Sequence, residues 1–171
     1  MIIVLVGGCL YYSQVDTSRA YSVSIMSCAV ADCPNGVTRL PTPPDVSAIL
    51  LAGDARSLFY KVSASSGAQA GALFRCDLPG CTTPIDMGGQ AEQEIVIMGE
   101  DVFVPAAQFQ SSYYVCTRAR CSTNLLATPE PELQSGPFAS RPFAVDATTI
   151  YWATTTIFDN PGNLVLATPR K

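Results

Sequence analysis

Phe143-Ala144-Val145-Asp146-Ala147-Thr148-Thr149-Ile150-Tyr151-Trp152 is the stretch from which the architecture follows. Three apolar residues lead into Asp-Ala-Thr-Thr, and an aromatic run follows at once. Asp146 heads the tight segment and is expected to accept backbone N–H bonds as an Asx-type turn residue. The stretch therefore reads as two short strands joined by a turn. Working outward, the same arrangement recurs three times upstream. Leu10-Tyr11-Tyr12, Leu58-Phe59-Tyr60 and Val102-Phe103-Val104 stand where Ile150-Tyr151-Trp152 stands here, and their third residues are 48, 44 and 48 positions apart. Each is preceded by an apolar strand and a tight turn: IIVLV then Gly7-Gly8, SAILLAG then DARS, EIVIMG then Glu100, FAV then DATT.

Cysteines keep step with this period. Counting 16, 16 and 12 positions on from Tyr12, Tyr60 and Val104 leads to Cys28, Cys76 and Cys116. Each opens a Cys-x4-Cys pair, with Cys33, Cys81 and Cys121. In the fourth copy Ala167 takes the cysteine's place, aligning GNLVLATP (162–169) with GALFRCDL (71–78). A four-residue turn is expected to set the paired cysteines opposite one another at a hairpin mouth. Facing Cα atoms there lie about 4.5–5.5 Å apart, within the span of a disulfide. Three pairs divide badly into four-thiolate metal sites, and no histidine exists to complete a set. Disulfides are thus expected, with reduced thiols and a metal site as the alternatives. They place the chain in an oxidising compartment: periplasm, cell surface or secretion. Cys9 stands alone, in a strand context that suits a small buried apolar residue.

One unit then consists of a first strand, a short turn, an aromatic strand, a loop, a third strand ending in Cys, the cysteine turn and a fourth strand. VTRLP (37–41), TPIDM (83–87) and TNLLATP (123–129) supply the fourth strands. Connectors rich in Pro, Gly and polar residues follow, and no window carries a 3.6-residue apolar stripe. A repeat of about 40–48 residues with four short strands is the signature of a β-propeller blade, because one small sheet cannot cover both its faces unless sheets stack. The expected fold is all-β, a propeller-like array of about four four-stranded blades over 1–171. The blades run approximately 1–43, 44–91, 92–137 and 138–171, the last incomplete. A β-sandwich with coincidental spacing is the alternative. A start in mid-strand and an end in mid-blade favour an incomplete arc of a larger propeller over a closed ring of four.

The fourth copy, Phe143-Ala144-Val145-Asp146 through Trp152, resembles the YWTD-type propeller repeat. Leu73-Phe74-Arg75-Cys76-Asp77-Leu78-Pro79-Gly80-Cys81 is similar to bacterial secreted and lipoprotein repeat proteins in which each blade carries a Cys-x4-Cys hairpin. The resemblance covers nearly the whole chain and implies the fold rather than an activity. It gives Asp146, Tyr151, Trp152, Tyr11, Tyr12, Phe59, Tyr60 and Phe103 structural roles in the repeat. Read this way, copies one to three lack the Trp and the motif Asp. The family's rings usually hold six or more blades.

Composition narrows the chemistry. The net charge is −4, only 14% of residues are charged and none is histidine. That excludes a basic nucleic-acid surface, histidine triads and His-ligated zinc. No apolar run reaches the length of about 18 residues that crosses a membrane. Val6-Gly7-Gly8-Cys9 loosely resembles a lipobox, but no Lys or Arg precedes Arg19 and the apolar part is short, so no signal peptide is evident and a strand is expected. The near-paired acids Glu92/Glu94, Glu100/Asp101 and Glu130/Glu132 lie in turns and connectors, where solvated carboxylates belong. A serine nucleophile would need Lys61 or Lys171, in a strand and at the terminus. Tyrosines 11, 12, 21, 60, 113, 114 and 151 are expected in blade packing, some of them reaching a ligand by stacking. The expectation is a non-catalytic, extracytoplasmic scaffold that binds a protein or small molecule, with no cofactor, metal or catalytic residue. The alternatives are a lactonase- or esterase-like propeller hydrolase with a cation at the tunnel mouth, and a truncated remnant.

Overall fold

Four turns of equivalent position reverse the chain by two different devices. In the first and third copies glycine does it: Gly7 (φ 56°) and Gly8 (φ 76°) link Val6 to Cys9, and Gly99 (φ 62°) with Glu100 links Met98 to Asp101. Left-handed backbone at these positions gives a turn whose twist matches that of the flanking strands. In the second and fourth copies an aspartate does it. Asp146 Oδ1 accepts from the Thr148 and Thr149 amides, both at 2.8 Å, and Asp54 Oδ1 accepts from Arg56 and Ser57 at 2.9 and 3.1 Å. Asp54 thus occupies the motif position in the second copy, and the expectation that copies one to three lack that residue is corrected. The match of Asp54-Ala55-Arg56-Ser57 to Asp146-Ala147-Thr148-Thr149 was legible in the sequence once the turns were superimposed.

The protein is described here from a computed structural model covering residues 2–16, 22–42, 46–63, 71–91, 95–105, 112–121, 126–127, 143–155 and 163–169. It is all-β. Sheet I holds β1 (Ile3–Val6), β2 (Cys9–Asp16), β3 (Ser22–Ala29) and β4 (Thr38–Arg39). Sheet II holds β5 (Ser47–Gly53), β6 (Ser57–Ser63), β7 (Ala72–Asp77) and β8 (Ile85–Gln90). Sheet III holds β9 (Val96–Met98), β10 (Asp101–Pro105), β11 (Ser112–Thr117) and β12 (Leu126–Ala127). Sheet IV holds three strands, β13 (Phe143–Val145), β14 (Thr149–Thr155) and β15 (Asn163–Pro169). Every sheet is an antiparallel meander in chain order. Among the described residues the one helical element is a 3₁₀ turn at Val30–Asp32.

Alternation along the strands decides how the sheets meet. In β6, Leu58, Tyr60 and Val62 enter a core shared with Val4, Tyr11 and Ile25 of sheet I, while Phe59 turns to the opposite face. There it joins Leu73 and Met87 against Val102, Val104 and Cys116 of sheet III. Side chains one residue apart point to opposite faces of a strand, so sheet II is apolar on both sides and is covered on both. β10 repeats the device, with Val102 and Val104 towards sheet II and Phe103, beside Tyr113 of its own sheet, towards Ile150 of sheet IV. Leu50 enters one core and Leu51 the other by alternation, and the β-bulge between Leu50 and Ala52 keeps Ala52 on the same side as Leu51. The Leu50 amide is taken by Ser13 Oγ of sheet I at 2.8 Å, and Ser47 Oγ accepts from Val23 across the same junction at 3.0 Å. First strands follow one another through the molecule: β5 lies against β1 and β9, and β9 against β13.

The cysteine turns depart in detail from the expected hairpin mouths. Cys116 and Cys121 do face one another in an antiparallel bridge, with Cα atoms 3.9 Å apart. The Cys28–Cys33 loop instead encloses the 3₁₀ turn, and β4 pairs further back, Ser27 with Thr38 and Met26 with Arg39. Beyond Cys81, β8 begins only at Ile85 and pairs with Arg75 and Phe74. Backbone from 34 to 37 and from 82 to 84 separates these bridged loops from the fourth strands, so the bridges close a turn without starting the next strand.

Candidate functional site

Charged side chains gather at one place, the end of sheets II and III where the Asp54 turn, the Gly99-Glu100 turn and the cysteine turns meet. The backbone brings them together: Leu78 N–H donates to Arg56 C=O at 2.8 Å, and Cys121 N–H donates to Met87 C=O at 2.7 Å across the two sheets. The second contact is close because residue 89 is glycine. A Cβ there would stand 2.8 Å from Cys121 Sγ and 2.9 Å from its Cβ.

Arg118, in the cysteine turn of sheet III, is the centre of the cluster and is only 8% exposed. Its Nη1 and Nη2 donate to the two carboxylate oxygens of Asp54 in sheet II, the Nη1 bond being 3.3 Å. Its Nε donates to Gly99 C=O at 3.1 Å, and the guanidinium lies over the Phe59 ring, 6.0 Å from the centroid. Bidentate pairing plus a ring face is what a planar guanidinium offers and an ammonium does not. Arg75 of β7 donates through Nη1 to Arg118 C=O and pairs through Nε with Asp77 at 2.9 Å. Ser57 Oγ completes the Asp77 contacts at 3.1 Å. At the rim, Arg56 reaches from sheet II to Glu100 of sheet III at 2.5 Å and to Gly99 C=O at 3.1 Å. Two arginine–acid pairs, Arg118 with Asp54 and Arg56 with Glu100, therefore cross the junction, while Arg75 pairs with Asp77 within β7 and crosses through the Arg118 carbonyl.

The electrostatics follow from this pairing. Burial pushes the Asp54 carboxyl upward, but the Arg118 hydrogen bond and the Arg56 and Ser57 amides outweigh it and hold the group below its ordinary range. Asp146 is also held low, first by the Thr148 amide and then by the Tyr151 hydroxyl, which donates at 2.8 Å; that bond in turn raises the Tyr151 phenol.

The residues singled out from the sequence distribute as follows. Cys28–Cys33, Cys76–Cys81 and Cys116–Cys121 are disulfides, and Cys9 is free and half-buried. Cys76 and Cys81 lie in the core between sheets I and II, and Cys116 and Cys121 in that between II and III. Tyr11 and Tyr60 share the first core, where Tyr60 stacks on Phe74 with centroids 5.7 Å apart. Phe59 sits in the second core, and Phe103 in the third beside Tyr113 at 6.3 Å. Tyr12 is half-buried on the far side of sheet I, in register with Ile3 and Met26. Trp152 stands opposite Phe143 and Leu166 in sheet IV; its side chain, like Tyr21, Glu92/Glu94, Glu130/Glu132 and Lys171, lies outside the described residues. Glu100 is a solvated turn acid, as expected, with 70% of its side chain exposed, and it also pairs with Arg56. Arg118 and Asp54 were missed, because nothing local marks an arginine between two cysteines as one that reaches a turn 64 residues earlier.

Among the described residues no three His, Cys, Asp or Glu side chains gather in a way that holds a metal ion, and no helix is long and apolar enough to cross a membrane. Comparison with known protein families, with curated proteins and with solved structures finds no match to this chain.

Proposed function

We propose that the chain is a propeller-like array related to the YWTD type, working outside the cytoplasm as a non-catalytic scaffold that binds a protein or small-molecule ligand. The observation that carries this reading is the double-sided burial of sheet II. Leu58, Tyr60 and Val62 of β6 enter one core and Phe59 enters the next, so one four-stranded sheet is wedged between two others. Successive sheets stacked face to face, with their first strands following one another, are how blades pack. The charged cluster supports the non-catalytic reading. Asp54, Asp77 and Glu100 are each engaged by an arginine, and the arginines bind one sheet to the next. Pairing of this kind ties sheets II and III together and gives the cluster a structural role. Three disulfides support an oxidising compartment.

The test is a hydrolysis assay on aryl esters and lactones, run with and without Ca²⁺, beside a calorimetric Ca²⁺ titration. No turnover above a denatured control and no Ca²⁺ binding are expected. Chelator-sensitive turnover would replace the scaffold by the hydrolase. Mass mapping of unreduced protein from the native compartment should find three disulfides and a free Cys9, and seven free thiols would remove the compartment assignment.

A further inference from the structure

Sheet I has one face against sheet II and another that none of the described residues covers. On the open face Ile3 is 56% and Leu5 is 64% exposed. In register beside them stand Tyr12 and Met26, opposite Ile3, and Leu10, opposite Leu5. A sheet face meant for water alternates polar residues into this position, whereas an unbroken run such as Ile2-Ile3-Val4-Leu5-Val6 belongs to strands buried on both sides. Exposed large apolar side chains set side by side on a sheet face, as Ile3 and Leu5 are, point to an interaction surface.

The register of the repeat states what kind of surface fits it. Leu10 and Tyr12 are the counterparts of Leu58 and Tyr60, which face the preceding sheet, and of Val102 and Val104, which do the same one unit on. In each described junction the preceding sheet supplies the intervening aromatic: Tyr11 to sheet II, Phe59 to sheet III, Phe103 to sheet IV. The fourth aromatic of that series is Tyr151, half-exposed on sheet IV, and sheet IV of the same chain does not cover Ile3 and Leu5.

We propose that the open face of sheet I is covered by sheet IV of a second copy of this chain, and the reverse, in a two-fold dimer. This rests on the stacked-sheet reading above. Each junction is head-to-tail, yet the two junctions are exchanged by the two-fold axis, so the assembly closes and exposes neither face. It would hold eight sheets, at the upper end of the range of about 4–8 blades that rings of this kind contain.

The experiment is light scattering of the full chain in dilution series, with Leu5→Lys on one face, Tyr151→Arg on the other, and Val30→Lys on an exposed turn as control. The wild type and Val30→Lys should run at twice the chain mass. Each face variant should weaken the dimer about a hundredfold, since a buried charge enters both junctions at once. Both positions are exposed or half-exposed in the single chain, so the circular dichroism of the variants should match the wild type. Mixing the two variants should restore dimer, because one junction then pairs an intact sheet I with an intact sheet IV. Loss with Leu5→Lys alone would indicate pairing of sheet I with itself and overturn the proposal. A wild type that is monomeric throughout overturns it as well, while leaving the scaffold reading to the hydrolysis assay.

Discussion

Arg118 and Asp54 show how one side chain ties two repeats. The guanidinium is nearly enclosed, and about a third of the Asp54 side chain, 32%, still meets solvent. Removing one member of a buried pair strands the other, which costs about 3–5 kcal/mol in full burial. With partial exposure of Asp54, Arg118→Ala should lower stability by about 1–3 kcal/mol in urea denaturation at neutral pH. Arg118→Lys should recover only part of this, since an ammonium cannot hold both carboxylate oxygens and Gly99 C=O in one plane. The pH dependence has a definite sign. Asp54 titrates below its ordinary value of 3.8 in the folded chain, so its contribution is present above that value and is lost as pH falls through the folded one. The gap between wild type and Arg118→Ala should therefore narrow below about pH 4. A gap that persists undiminished at pH 2 would mean that Arg118 acts through packing on Phe59 instead.

Turns and edges set the behaviour of the elements. Gly89 in β8 lies under the Cys116–Cys121 disulfide, whose sulfur and Cβ are fixed by the bridge and cannot swing away. Gly89→Ala should thus force sheets II and III apart and cost about 1–3 kcal/mol, as overpacking does in a close-packed interior. Each disulfide closes a short loop worth about 2 kcal/mol on the chain-entropy account. The three pairs should not behave alike, however. Cys116 and Cys121 are both buried in the core between sheets II and III, while Cys33 is half-exposed beside a 3₁₀ turn. Double Cys→Ser substitution at 116 and 121 should therefore destabilise more than at 28 and 33, because it also puts two hydroxyls among apolar side chains. Midpoints of chemical denaturation for the two double variants give the order directly.

At the scale of the molecule, the stacking of sheets grades protection along the chain. Among the described residues, sheets II and III each have neighbours on both faces, and sheet I has one neighbour. In hydrogen exchange, peptides from 57–63 should be the slowest and those from 3–6 markedly faster, since opening β1 exposes less buried area than opening β6. Equal protection of the two would mean that the sheets unfold as one unit regardless of their place in the stack.

Periodicity made the strands legible. Leu58-Phe59-Tyr60 and its three counterparts announced four hairpins, and the cysteine spacing announced three bridged turns, because both signals depend only on neighbours in sequence. The Asp54 turn was equally local: Asp54 precedes Tyr60 by six positions as Asp146 precedes Trp152, so aligning the copies through their aromatic residues already sets the two turns in register. What the sequence by itself determined is the all-β repeat, its two-faced strands and its bridged cysteines, since alternation and short loops are properties of the chain within about ten residues. Only the tertiary structure decided which face of β6 meets which sheet, that Arg118 reaches Asp54 from 64 residues away, and that Ile3 and Leu5 are left uncovered. Those depend on how twisted sheets stack in space, and stacking brings together side chains whose separation in sequence carries no local mark.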